Sequence, residues 1–156
     1  DGNEVVAGAA LGDVATWRGD APSPRAATAD GAGFALARCQ GDGSGAPEVV
    51  VGAPGRGVVT TAGRDVGPGT GRFGAAIAGG TEPGVLWVGA PAADDHAGAV
   101  YRVDALGVAT VVLVGAPLDE LGTALVVAGD RLYVGAPGPA SGGGFVIAVP
   151  EAALSR

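Results

Sequence analysis

Leu132-Tyr133-Val134-Gly135-Ala136-Pro137 has three counterparts upstream. They are Leu86-Trp87-Val88-Gly89-Ala90-Pro91, Val49-Val50-Val51-Gly52-Ala53-Pro54 and the degenerate Val5-Val6-Ala7-Gly8-Ala9. Taking Gly8, Gly52, Gly89 and Gly135 as marks, the steps are 44, 37 and 46 residues. Self-similarity at such a period marks a repeat architecture and outranks any local reading. A block of about 40 residues holds four short strands with tight turns, which is one blade of a β-propeller.

A second string precedes the complete copies: Arg72-Phe73-Gly74-Ala75-Ala76-Ile77-Ala78 before the third and Glu120-Leu121-Gly122-Thr123-Ala124-Leu125-Val126 before the fourth. Ala32-Gly33-Phe34-Ala35-Leu36-Ala37 precedes the second, with its phenylalanine displaced by one place. The first copy has no such partner in the sequence given. This pairing resembles the FG-GAP repeat of integrin-type propellers. Residues 121–149 are similar to its bacterial form, and Ala97-Gly98-Ala99-Val100-Tyr101-Arg102-Val103 looks like the family's third strand. The resemblance covers nearly the whole chain.

The expected fold is therefore all-β: a propeller, or propeller segment, of about four FG-GAP-type four-stranded blades in a single domain over 1–156. The repeat units fall near 1–31 (incomplete), 32–71, 72–119 and 120–156. Strands are expected near 4–9, 13–18 and 25–28; near 33–38, 48–53 and 57–61; near 73–78, 84–90, 98–103 and 108–114; and near 121–127, 131–136 and 143–149. No stretch carries a sustained helical stripe. The three apolar residues before each Gly-Ala-Pro suit a strand buried on both faces. Gly and Ala there permit close backbone approach, and proline ends the ladder.

Composition narrows the function. Glycine accounts for 31 of 156 residues and aromatics for only 4%, so the core is built from small aliphatic side chains between many turns. The net charge is −7 with no basic cluster, which argues against nucleic acid as a partner. No apolar run approaches the ~18 residues of a membrane span, and neither terminus looks like a signal peptide. A lone Cys39 excludes an internal disulfide.

With one His and one Cys, a nucleophilic triad must pass through His96 or Cys39. Cys39 follows an apolar strand and reads as a small buried hydrophobe. His96, in Pro91-Ala92-Ala93-Asp94-Asp95-His96, reads as a solvated loop residue, as do Asp94 and Asp95. A zinc site would need several His or Cys. Arg18-Gly19-Asp20 spells an integrin-ligand tripeptide, but before Ala21-Pro22-Ser23-Pro24 it reads as a turn.

The resemblance raises calcium. Such propellers carry an Asp-x-Asp-x-Asp-Gly-x-x-Asp loop before the Gly-Ala-Pro strand, and this chain offers Gln40, Asp42, Ser44, the Ala46 carbonyl and Glu48. Two expected aspartates are neutral here, which implies either a weak Ca²⁺ site or a polar hairpin that keeps only its turn glycines. Catalytic residues and other cofactors are expected to be none.

The resemblance implies a non-catalytic extracellular or cell-surface binding scaffold that presents loops to a protein or glycan. The alternatives are the propeller portion of a secreted, phospholipase-like hydrolase and a purely structural assembly module. The incomplete first blade leaves an open strand edge and suggests closure on the C-terminal segment or a homo-oligomer.

Overall fold

The computed structural model describes residues 4–8, 14–18, 21–25, 34–40 and 47–155, with side chains described from 34–40 and 48–155. These residues form four antiparallel meanders in chain order. The first is β1 (Glu4–Gly8), β2 (Val14–Arg18) and β3 (Ala21–Arg25). The second is β4 (Ala35–Gln40), β5 (Pro47–Ala53), β6 (Val58–Thr61) and β7 (Arg64–Val66). The third is β8 (Ala76–Gly79), β9 (Leu86–Ala90), β10 (Ala99–Val103) and β11 (Ala109–Val114). The fourth is β12 (Ala124–Ala128), β13 (Arg131–Ala136) and β14 (Phe145–Pro150). The chain is all-β, and among the described residues no sheet closes on itself.

The last three sheets share one register. Ala35 pairs with Gly52, Ala76 with Gly89 and Ala124 with Gly135, so the Gly-Ala-Pro strand is the second strand each time. In the first sheet the corresponding strand is β1, whose ladder among the described residues is with β2. First strands neighbour one another, β4 against β8 and β8 against β12.

Burial along β9 shows how the sheets stack. All five of its residues are buried. Because successive side chains point to opposite faces, Leu86, Val88 and Ala90 join Val50, Val59 and Phe73 in one core, while Trp87 joins Leu121, Leu132 and Val134 in another. The third sheet is thus covered on both faces, as its apolar run requires. In β13, by contrast, Leu132, Val134 and Ala136 are buried while Arg131 is exposed and Tyr133 is half-buried. The expectation of burial on both faces holds for β9 and fails for β13, which among the described residues is covered on one side only.

The two glycine motifs meet between sheets. A methyl added at Gly89 would sit 2.9 Å from the Gly122 carbonyl carbon and closer still to its oxygen. One added at Gly52 would sit 3.1 Å from the Gly74 carbonyl carbon, again with the oxygen nearer. Gly52 and Gly89 therefore each pack backbone to backbone against the Phe/Leu-Gly turn of the following sheet. That turn recurs in detail. Arg72 (φ 57°) and Glu120 (φ 51°) are left-handed, Gly74 (φ 92°) and Gly122 (φ 89°) follow, and the Ala75 and Thr123 N–H groups close onto the Arg72 and Glu120 carbonyls. The Gly74 N–H donates to the Gly89 carbonyl at 3.0 Å and the Gly122 N–H to the Gly135 carbonyl at 3.1 Å.

Several boundaries differ from expectation. Phe73 and Leu121 lie in these turns, ahead of β8 and β12, instead of opening the strands; both are buried. The third strand expected near 25–28 is Ala21–Arg25, so the Ala21-Pro22-Ser23-Pro24 stretch that follows the tripeptide is strand. Among the described residues β3 lies at the edge of its sheet, where a proline's missing N–H costs no ladder bond. Arg18 pairs with Ala21, and Gly19 and Asp20 of the tripeptide lie outside the described residues. Strand β7 was unforeseen. It follows a two-residue turn at Ala62 (φ 48°) and Gly63 (φ 74°), the doubly left-handed geometry that matches strand twist. The fourth sheet has three described strands; after β14 the chain enters a short helical turn, Glu151–Leu154, which strand-period reading misses.

Candidate functional site

The strand connections divide between two ends. One end carries the links 54–57, 67–75, 91–98, 115–123 and 137–144; the other carries 41–46, 62–63, 80–85, 104–108 and 129–130. Among the described residues, left-handed non-glycine residues concentrate at the first end: Arg72, Asp94, Asp95, His96, Leu118 and Glu120, against Ala62 alone at the other. Each such residue costs about 1–2 kcal/mol for a side chain with an ordinary Cβ, and less for Asp.

Three of them are consecutive. Asp94 (φ 50°, ψ 64°), Asp95 (φ 49°, ψ 48°) and His96 (φ 66°) wind left-handed, so Ala93–His96 is a strained turn, not a right-handed helix. Backbone hydrogen bonds clamp it on both sides. Ala97 N–H donates to Asp94 O and Gly98 N–H to Ala93 O, each at 3.0 Å. Ala92 N–H donates to Gly71 O at 3.0 Å, and Glu120 N–H to His96 O at 2.9 Å. Three successive loops are thereby fastened together.

The clamp exposes Asp94, Asp95 and His96 to solvent, as expected of a polar loop. His96 is not isolated, however. Its Nδ1 lies 2.9 Å from Glu120 Oε1, with the two side chains 56% and 41% exposed, so water screens the pair. Beside it, Asp94, Thr70, Gly71, Ala93 and Tyr101 contribute to a cleft of about 360 Å³. Tyr101 is held edge-on to the buried Phe73 ring, with centroids 5.1 Å apart. Nothing in the 3.6- or 2-residue periodicities signalled the left-handed run. The polar string 94–96 between two strands was its one visible trace.

The calcium candidates sit at the opposite end. Gln40 is exposed at the end of β4, paired with Pro47, and Glu48 is half-buried on β5. Asp42, Ser44 and Ala46 lie outside the described residues. One Glu48 oxygen accepts the Ala62 N–H, tying the carboxylate to the β6–β7 turn. Among the described residues, no three His, Cys, Asp or Glu side chains gather in a metal-sized group.

Cys39 is buried in the core beside Val50 and Ile77. Burial, with the nearby Glu48 carboxylate, pushes its thiol above the usual cysteine range. It is therefore a protonated hydrophobe at neutral pH, not a nucleophile. The displaced Phe34 also finds an explanation. The shared register sets it level with Ala75 and not with Phe73, so it is exposed, with the Arg72 guanidinium 5.6 Å from its ring centroid.

Among the described residues, no helix is long and apolar enough to cross a membrane. No protein-family model matches the sequence, and no curated protein matches it.

Proposed function

We propose that the chain is a non-catalytic, extracellular or cell-surface binding scaffold. In this reading its sheets are consecutive blades of an FG-GAP-type β-propeller, and the end bearing Asp94–His96 receives a protein or glycan. The shared register and the paired-glycine contacts support the architecture. The observation that carries the function is the clamped turn: three adjacent left-handed residues hold three polar side chains outward. Strain retained in this way clusters at ligand-binding positions.

Binding should be surveyed on glycans and immobilised extracellular proteins. The variant Asp94→Asn/Asp95→Asn/His96→Gln removes the charges and keeps residues of similar shape. Its signal should fall at least about tenfold, a loss of ~1.4 kcal/mol, while the distant Arg131→Gln binds normally. Ligands indifferent to the triple change would overturn the assignment. Turnover of an ester or phosphodiester that His96→Gln abolishes would establish the hydrolase alternative, for which the His96–Glu120 pair is the supporting geometry.

Any calcium binding belongs to the Gln40–Glu48 hairpin and is weak, with a dissociation constant of about 10⁻⁴–10⁻³ M expected from so few charged ligands. Calorimetry should give a heat that Asp42→Ala abolishes. Tight binding surviving that substitution would place the metal elsewhere.

A further inference from the structure

A bulge in the third sheet builds an apolar patch beside the clamped turn. Val100 pairs with Leu113 but Tyr101 pairs with Val111, so Val112 is the extra residue of β11. Without a bulge, Val111 and Val114 would point to opposite faces, being an odd number of positions apart. With it, Val112 and Leu113 both pack toward the core shared with the fourth sheet, and Val111 and Val114 both line the cleft on the other face. There they stand beside their cross-strand partners Tyr101 and Ala99. These four side chains form the apolar side of the cleft of about 360 Å³, and Asp94 and Thr70, both exposed, stand on its polar side. Val111 and Val114 are 46% and 58% exposed, so the bulge turns two valines toward the cleft and not into the core. Bulges re-aim side chains in this way next to functional sites.

The cleft is held in shape. The Ala92 N–H donates to the Gly71 carbonyl at 3.0 Å and ties its two loop walls together, while the fully buried Phe73 fixes the Tyr101 ring edge-on. Its volume is near the low end of ligand pockets, about 300–1,000 Å³, and suits one or two sugar rings. Its chemistry is a flat apolar patch facing a carboxylate, which only accepts hydrogen bonds, and a hydroxyl, which both donates and accepts. A pyranose is divided in the same manner, with a C–H face and a rim of hydroxyls. A cation would draw on Asp94 alone, and an ion pair at an exposed carboxylate contributes only about 0–1 kcal/mol while leaving the valines uncovered. Asp94 is the charged residue of the lining, so acidic sugars are disfavoured.

We propose that this cleft binds a neutral pyranose, the terminal unit of a glycan. The C–H face of the sugar lies on Tyr101, Val111 and Val114, the Asp94 carboxylate accepts from adjacent hydroxyls, and the Thr70 hydroxyl bonds to another. The proposal rests on the reading of this end as a binding surface and narrows its partner to carbohydrate.

The probes are the methyl glycosides of glucose, galactose, mannose and N-acetylglucosamine, titrated onto the full chain and followed by amide and methyl NMR. At least one should shift Tyr101, Val111 and Val114, with a dissociation constant on the order of 1 mM for so small a ligand. Asp94→Ala removes the acceptor and Val114→Asp puts a charge on the patch. Each should keep a folded spectrum and weaken the response at least about tenfold, while Leu106→Ser, 80% exposed at the opposite end of the sheets, should leave it unchanged. No shift with any glycoside at tens of millimolar would overturn the proposal, as would a shift that survives both cleft variants. A response to lysine methyl ester alone, fading with added salt, would assign the cleft to a basic peptide instead. In the survey of glycans and extracellular proteins, ligands lost with the triple change but retained by Val114→Asp would refute the sugar cleft and leave the binding end standing. Ligands indifferent to both changes would refute the binding end itself, and the cleft with it.

Discussion

Replacing Gly89 by alanine tests the paired-glycine contact directly. The new methyl would lie 2.9 Å from the Gly122 carbonyl carbon, against an ordinary carbon–carbon separation of about 3.5–4.0 Å. Neither side can yield by a rotamer change, because the obstructing atoms are backbone. The third and fourth sheets must separate, which also strips contact from Trp87 and Leu132 in the core between them. Overpacking usually costs 1–3 kcal/mol, and a backbone-to-backbone clash belongs at the upper end, about 3 kcal/mol. For a chain of this length that corresponds to a fall of roughly 6–12 °C in Tm. The comparison is Gly135→Ala, the same substitution at the equivalent register position, where among the described residues the nearest neighbour is Ala124 of its own sheet. It should change stability by less than about 1 kcal/mol, in either direction. Thermal and urea denaturation followed by circular dichroism reads both. Equal losses at Gly89 and Gly135 would refute the stacking described above.

Three further outcomes follow from individual side chains. Glu151 is 6% exposed and accepts the Trp87 indole N–H and the Thr81 backbone N–H, so Glu151→Ala should cost about 1–3 kcal/mol in urea unfolding by leaving both donors without an acceptor. The Thr60 hydroxyl, 2.7 Å away, and the Arg56 guanidinium hold the Asp65 carboxyl below its usual range. A depressed folded pKa contributes stability above the unfolded value of about 3.9 and loses it as pH falls through the folded value. Asp65→Asn should therefore destabilise by under about 1 kcal/mol at pH 7, since the group is exposed, and the loss should shrink as the pH falls through the folded value. Cys39 should react with a thiol reagent only at the rate of unfolding; immediate modification of the folded chain would contradict its burial.

The repeat marks, most of the strands and the direction of the core were legible because strand burial imposes period 2 and the Val-Gly-Ala-Pro string fixed the phase; β7 was not. Leu86, Val88 and Val134 all fall where that phase puts them in the core. What escaped the sequence was set by tertiary contact or by backbone dihedral. Phe73 and Leu121 look like strand residues, yet the close approach of their glycines to Gly52 and Gly89 draws them into a turn. Pro22 and Pro24 look like loop, but an edge strand tolerates them. The left-handed run at Asp94–His96 depends on clamping by Gly71 and Glu120, residues 23 or more positions away, so no local pattern encodes it.

The most direct measurement of the architecture is proton–proton proximity across the sheets in solution. Nuclear Overhauser effects should connect the α-protons of Gly52 to those of Gly74, and those of Gly89 to those of Gly122, in the unmodified chain. If both pairs appear, successive sheets are stacked through paired glycines as described. If either pair is missing while β8–β9 and β12–β13 ladders are intact, the sheets form without that contact and the account is wrong.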